Sequence, residues 1–381
     1  MSEVIEGNVI VLSYDKLLAG EDLTDEIGRA FGSEGLGILT VEGIPGLQEA
    51  RNNLLPLARS FAELPDNIKE KYVHAESFYS FGWSHGKEKL DGAYDLSKGS
   101  YYANPQYDRP VDDESLIAKY PAFLHPNIWP HEDMPELENA FKALGQLIVN
   151  VGKLVSTQCD LYIKKQCASY ADNRLTKIID NSLCCKARLL HYFDVNSVNA
   201  TTASPLKKCR TEESQDCGTS TDNHDPFSSW CGWHNDHGSL TGLVSAMFMD
   251  ADGNVVSNTD PMAGLYIRNR KSEVVKVSIP QSHLAFQIGE TAQVHSGGIL
   301  QATPHAVRGS TAAGITRETF AVFMEPDWNE PMTCPEGIDP DMAQTQSAAA
   351  NLPRGVPSLK SRWNNEMDFG QFTSATLNAY Y

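Results

Sequence analysis

Residues 233–242, WHNDHGSLTG, set two histidines and an aspartate within four positions. Alternate side chains of an extended chain share a face, so His234 and Asp236 are expected to point together, with Asn235 and His237 turned away. An imidazole and a carboxylate on one face can chelate a divalent metal. The His-x-Asp spacing also arises by chance, so a third donor has to come from elsewhere. QVHSGGILQATPHAVRGS offers His295 and His305. Two histidines and one carboxylate leave three positions open on an octahedral ion, the arrangement of non-haem Fe(II) chemistry. Twelve residues beyond His305, Arg317-Glu-Thr319 opens an apolar run, TFAVFME, again with alternate residues on one face. A guanidinium there presents a planar fork to a carboxylate, and the Thr319 hydroxyl adds a donor to the same group.

Such residues need rigid elements to bring them together. LCCKARLLHYF, LTGLVSAMFMD, GLYIRNR, VVKVSI, LAFQIG, QATPHAVRG and RETFAVFME are short β-type runs separated by turn residues. No helices separate them, which disfavours a parallel βαβ plan and favours a helix-supported barrel or jelly roll. Before them, residues 135–165 carry Leu137, Phe141, Leu144, Ile148, Val151 and Val155 at helical spacing, one long helix with a buried stripe. Nearer the start, VIVLSY reads as a strand, EDLTDEIGRAFG as a helix ending at Gly32, and LGILTVEGIPG as a strand. Residues 48–72 read as helix interrupted at Pro56 and Pro65. SFYSFGWSHGKEK and GSYYANPQYDRP read as aromatic loops. A polar, aperiodic stretch at about 194–229 reads as an exposed insertion, and TQSAAANLPRG as a mobile tail segment.

Composition narrows the function classes. The 381 residues are 41% hydrophobic and 21% charged, enough for a large core. Thirty-one basic against 49 acidic residues give a net charge of -18, which repels phosphate backbones and anionic membranes and argues against a nucleic-acid partner. Neither a signal peptide nor a spanning segment is visible, so a cytoplasmic location is expected and the Asn199 sequon should stay unused. The eight cysteines have no CxxC spacing and read as incidental thiols. HExxH, GxSxG and Walker sequences are absent, leaving hydrolase and kinase chemistry without support.

His234-Asn-Asp236, then His305, then Arg317-Glu-Thr319, in that order on expected strands, resembles the 2-oxoglutarate and Fe(II)-dependent dioxygenases, in particular the isopenicillin N synthase-like branch. HNDHGSLTGL looks like that branch's HxDxGxLT signature, GGILQATPHAVRG its distal-histidine segment and RETFAVFMEP its Arg-x-Ser/Thr strand. GLGILTVEGIPG and FAELPDNIKEKY resemble its N-terminal part, so the likeness covers nearly the whole chain.

The resemblance implies an α+β fold with a mainly β core: a double-stranded β-helix (jelly roll) supported by a long helix and an N-terminal α/β region. It divides the chain into an N-terminal region at 1–130, a catalytic core at 131–330 and a C-terminal extension at 331–381. It implies Fe(II) on His234, Asp236 and His305, with His295 the rival third ligand. Arg317 and Thr319 would hold the distal carboxylate of 2-oxoglutarate. Many members carry an Asn-Tyr-Tyr element where this chain has His191-Tyr192-Phe193, so Tyr192 and His191 become cosubstrate candidates. Tyr79, Trp83, His85, Lys87, Tyr101 and Asn104, in segments like the branch's substrate-facing loops, and Arg188 are substrate candidates, with packing or ion pairing as the alternative for each. The implied reaction uses O2, is stimulated by ascorbate, releases succinate and CO2, and oxidises an unactivated C–H bond of a small molecule in a monomeric enzyme. Algal kainoid synthases share the general plan, which raises oxidative ring closure on an amino-acid-derived polycarboxylate as an alternative to hydroxylation. A catalytically silent, cupin-like binding protein is the alternative from another class.

Overall fold

The computed structural model describes residues 5–87, 89–90, 93–194, 230–258, 260–345, 352–353 and 355–380. The expected insertion, apart from Asp194, its Asn199 sequon and residues 346–351 and 354 of the tail lie outside these. All seven β-type runs of the second half form strands, and they fall into two sheets. The smaller sheet orders Ile5–Glu6, Val274–Val277, Gly264–Arg268, His305–Arg308 and Cys231–His234. The larger runs Ile10–Ser13, Ile38–Glu42, Leu284–Ile288, Leu240–Val244, Thr316–Met324, Lys186–Tyr192, Lys98–Ala103 and Gly82–His85, with Met247–Met249 and Val255–Val256 off its path.

Period-2 patterning explains why the sheets face one another. Ile38, Leu190, Tyr192 and Ala285 of the larger sheet bury against Leu265, Ile267, Val275, Val277 and Val307 of the smaller. The opposite face of the larger sheet is covered by the helix Glu136–Gln166, through the stripe Leu137, Phe141, Leu144, Ile148, Val151 and Val155. Burial of side chains of this size contributes about 1.5–3 kcal/mol each. Close approach requires glycine on the sheet: a Cβ at Gly242 would lie 2.2 Å from Ile148 Cγ2.

Two expectations about the first half change. The helix Leu47–Ala62 continues through Pro56 and ends before Pro65. Buried Leu54, Leu55, Ala58 and Phe61 on both sides of the proline, and Arg51 donating to the carbonyls of Ser245 (2.7 Å) and Ala246 (2.8 Å), outweigh the lost backbone bond. The aromatic segments are not loops but the strands Gly82–His85 and Lys98–Ala103, which pair with each other and join the larger sheet at Lys186–Tyr192. Both of their faces are largely buried, so the polar-out alternation that marks a half-exposed strand is missing.

Candidate metal centre

Strands Cys231–His234 and His305–Arg308 run antiparallel with His234 directly opposite His305, and the ring centroids lie 4.2 Å apart. Strand alternation does not deliver the carboxylate: the strand ends at His234, and Asp236 arrives from a loop. That loop is fixed by the Glu290 N–H donating to the Asp236 carbonyl at 2.8 Å and by a side-chain hydrogen bond from Thr241. Asp236 Oδ1 then lies 3.8 Å from Nε2 of both histidines. One ligand atom from each of the three falls within 4.8 Å of the others, the one such group of His, Cys, Asp or Glu among the described residues.

The donor set fits a divalent cation. Asp236 Oδ2 is buried without a hydrogen-bond partner, which is costly unless a cation completes it. His234 Nδ1 faces the Gly232 carbonyl at 2.8 Å and His305 Nδ1 the Thr303 carbonyl at 3.3 Å. A carbonyl only accepts, so each Nδ1 carries a hydrogen and each Nε2 is the nitrogen turned toward Asp236. Burial opposes the charge of His234, but Cys231 and Asp236 outweigh it and raise its pKa to about 9. Burial, reinforced by the neighbouring His234, pushes His305 down to about 4. Burial opposes the charge of Asp236, but His305, His234 and the Thr241 hydroxyl outweigh it and hold the carboxyl below its usual range.

His295 lies elsewhere, at the end of the helix Glu290–His295, with Nε2 3.1 Å from the Pro331 carbonyl; burial pushes it down to about 3. His237 stacks on Phe369 with centroids 5.7 Å apart.

Between the sheets a cavity of about 280 Å³ joins this cluster to Arg317, Thr319 and Tyr192. Arg317 and Thr319 share a face of their strand, and Arg317 pairs in register with Tyr192. The guanidinium sits 4.9 Å from the Tyr192 ring centre, and its Nε and Nη1 are buried without partners. Burial pulls the Arg317 pKa below its ordinary value, with Tyr192 opposing. Orphaned guanidinium donors in a cavity are what a bound carboxylate would satisfy. Lys276 and Arg188 line the same cavity, and Asp236 is its one lining carboxylate among the described residues.

His191 is the expectation the geometry turns away. It faces the other side of the sheet, where its Nδ1 lies 2.9 Å from Glu318 Oε2, both side chains being almost fully buried. Three substrate candidates also lie off the cavity. Trp83 and Tyr101 pack around Phe61, and Tyr101 donates to the Ile128 carbonyl. Asn104 uses its amide on the Leu183 carbonyl at 2.8 Å and on the N–H groups of Gln106 and Tyr107. Their polar and aromatic groups serve turn and core. His85 and Lys87 border a small hollow of about 10 Å³ that Arg188 shares. Tyr79 is half-buried at a φ of 59° beneath the Lys87 ammonium. Arg188 reaches the main cavity, its Nε donating to Ser100 Oγ at 2.9 Å and its guanidinium 4.9 Å from the Tyr102 ring. Thr241 and Glu290 were not foreseen. Thr241 sits within the HNDHGSLTGL signature, whereas nothing in the local spacing marks Glu290.

A family model described as the N-terminal part of the non-haem dioxygenases in morphine synthesis matches residues 8–132. No curated protein matches the chain in sequence. Among solved structures, a full-length Neurospora crassa protein in complex with α-ketoglutarate and thymine is similar at a TM-score of 0.62 and 16% identity, over 98% of this chain and 97% of that one. JOX2 in complex with 2OG, Fe and JA is similar at 0.56 and 16% identity, over 99% and 87%. The rice dioxygenase for auxin oxidation follows at 0.54 and 16% identity, over 97% and 95%. No described helix is long and apolar enough to cross a membrane. The chain therefore shares its fold with these solved structures, and its residues 8–132 match the N-terminal model of the non-haem dioxygenases.

Proposed function

We propose that this protein oxidises an unactivated C–H bond of a small organic molecule, consuming 2-oxoglutarate and O2 and releasing succinate and CO2. The observation that carries the proposal is that His234, Asp236 and His305 line a cavity that is also lined by Arg317, whose donors are unsatisfied. Fe(II) held by those three residues, with 2-oxoglutarate and O2, supplies the oxidising chemistry. The chain's own tasks are positional. Nδ1 hydrogen bonds orient both imidazoles, Thr241 steadies Asp236, and Arg317 with Thr319 fixes the far carboxylate of the cosubstrate. The apolar walls, Leu190, Leu243, Phe248, Leu265 and Val307, keep water from the reacting bond.

In this reading the facing sheets are a jelly roll. Residues 1–130 are its N-terminal region, 131–330 its catalytic core and 331–381 an extension, in a monomeric cytoplasmic enzyme. The Neurospora crassa protein, JOX2 and the rice dioxygenase, whose bound or oxidised compounds are small molecules, support a small-molecule substrate. Arg188, a second guanidinium in the cavity, favours a substrate carrying a carboxylate, and with it kainoid-type ring closure on an amino-acid derivative. Succinate release from 2-oxoglutarate with Fe(II) and ascorbate tests the reaction; no release would leave a binding protein. Mass spectrometry of products from candidate amino acids then separates loss of two hydrogens, for ring closure or desaturation, from gain of one oxygen.

A further inference from the structure

Both chain neighbours of Asp236 are held from the C-terminal segment. Asn235 Nδ2 donates to Glu290 Oε1 at 3.0 Å, and the same oxygen accepts from Arg362 Nη2 at 2.6 Å. The side chains of Arg362 and Glu290 are 1% and 2% exposed, so the pair is fully withdrawn from water. On the other side of Asp236, the His237 ring stacks on Phe369 at an interplanar angle of 12°. The helix Glu290–His295 adds a backbone clamp: Glu290 N–H donates to the Asp236 carbonyl at 2.8 Å, and the Thr291 hydroxyl to the His237 carbonyl at 2.6 Å.

The C-terminal side of this arrangement is itself rigid. Arg362 Nη1 donates to Thr376 Oγ1 at 2.9 Å and Nη2 to the Pro357 carbonyl at 3.1 Å, while its guanidinium lies 5.6 Å from the Phe372 ring. Leu359, Trp363, Phe369 and Phe372 pack with Val294 of the clamp helix. An apolar pair could fill the place of Arg362 and Glu290 at similar or better stability. An ion pair adds direction, because it fixes the Glu290 oxygen that Asn235 uses. Partners behind metal ligands in this way govern metal affinity.

We propose that the C-terminal segment is a positioning element for the metal centre. Arg362, through Glu290 and Asn235, and Phe369, through His237, hold the Asp236 carboxylate in its ligating position, so that the centre is complete only when this segment is docked. The proposal rests on the metal reading above.

The test uses full-length Arg362→Leu, Arg362→Lys and Phe369→Ala proteins, with circular dichroism to establish folding. Hydrogen exchange in metal-free protein is expected to speed up at residues 235–239 in Arg362→Leu, with the strand Leu284–Ile288 unchanged. Affinity for Co(II), followed by its visible absorption, should fall about 10- to 100-fold in Arg362→Leu and recover in part in Arg362→Lys. Unchanged exchange at 235–239, or faster exchange spread equally through Leu284–Ile288, would overturn the proposal, as would unaltered Co(II) affinity. Failure of the unsubstituted protein to bind Co(II) would refute the metal reading instead, while the exchange result still decides the positioning role. Should Arg362→Leu not fold, Phe369→Ala carries both measurements.

Discussion

Arg317 and Tyr192 face each other across adjacent strands, with the guanidinium carbon 4.9 Å from the centre of the phenol ring. Beside that ring, Nε and Nη1 of the guanidinium are buried without partners and can serve a carboxylate. Replacing Arg317 with Gln removes charge-assisted hydrogen bonds of about 1.5–3 kcal/mol. The 2-oxoglutarate concentration for half-maximal succinate release should therefore rise roughly 10- to 100-fold. An unchanged requirement would mean that the cosubstrate, if used at all, is anchored elsewhere.

Arg188 is expected to act on the substrate and not on the cosubstrate. It lies four residues before Tyr192 on the same strand, which places it about 13 Å along the sheet from the Arg317 register. Arg188→Gln should raise KM for a carboxylate-bearing substrate by about tenfold or more, with little change in 2-oxoglutarate affinity. Steady-state kinetics with each reactant varied in turn reads the difference.

Gly242 tests the packing that aims the strand Leu240–Val244. An added methyl at 2.2 Å from Ile148 Cγ2 must displace the Ile148 side chain or the long helix that carries it. Overpacking of this kind costs about 1–3 kcal/mol, so Gly242→Ala should lower the denaturant midpoint with the m-value unchanged. A midpoint equal to the original would show that helix and sheet are not in close contact there.

His295 gives stability a defined pH dependence. Burial, aided by Arg174, pushes its pKa down to about 3, against an ordinary 6.5. The unfolded chain therefore binds a proton that the folded chain refuses between those values. The sign follows: this contribution is fully present above pH 6.5 and is lost as the pH falls toward 3, at about 1.4 kcal/mol per unit. Unfolding at pH 7 and pH 5 should differ less for His295→Gln than for the unsubstituted protein. An equal difference would place the titration in other groups.

Much of the site was visible in residue types and order, and its gaps have physical causes. His234 and His305 stand out because two β-type runs carry them and a cross-strand pair joins them. Asp236 is ligand-like for a reason alternation does not supply, since it lies beyond its strand and is drawn in by Thr241 and Glu290. The parity of the strand Lys186–Tyr192 did carry the answer for His191: Arg188, Leu190 and Tyr192 line the cavity, so His191 must face away, toward Glu318. The strands Gly82–His85 and Lys98–Ala103 are hidden by burial of both faces and by Gly99, over which the Trp83 ring lies. The Glu290–Arg362 pair spans 72 positions, a distance at which no local spacing carries a signal.

Iron-edge anomalous diffraction from crystals grown without oxygen in Fe(II) tests the central claim most directly. The account predicts one peak bounded by Nε2 of His234, Nε2 of His305 and the Asp236 carboxylate, and no peak there in His305→Ala crystals. A peak at His295, or none among these three side chains in the unsubstituted protein, would contradict it.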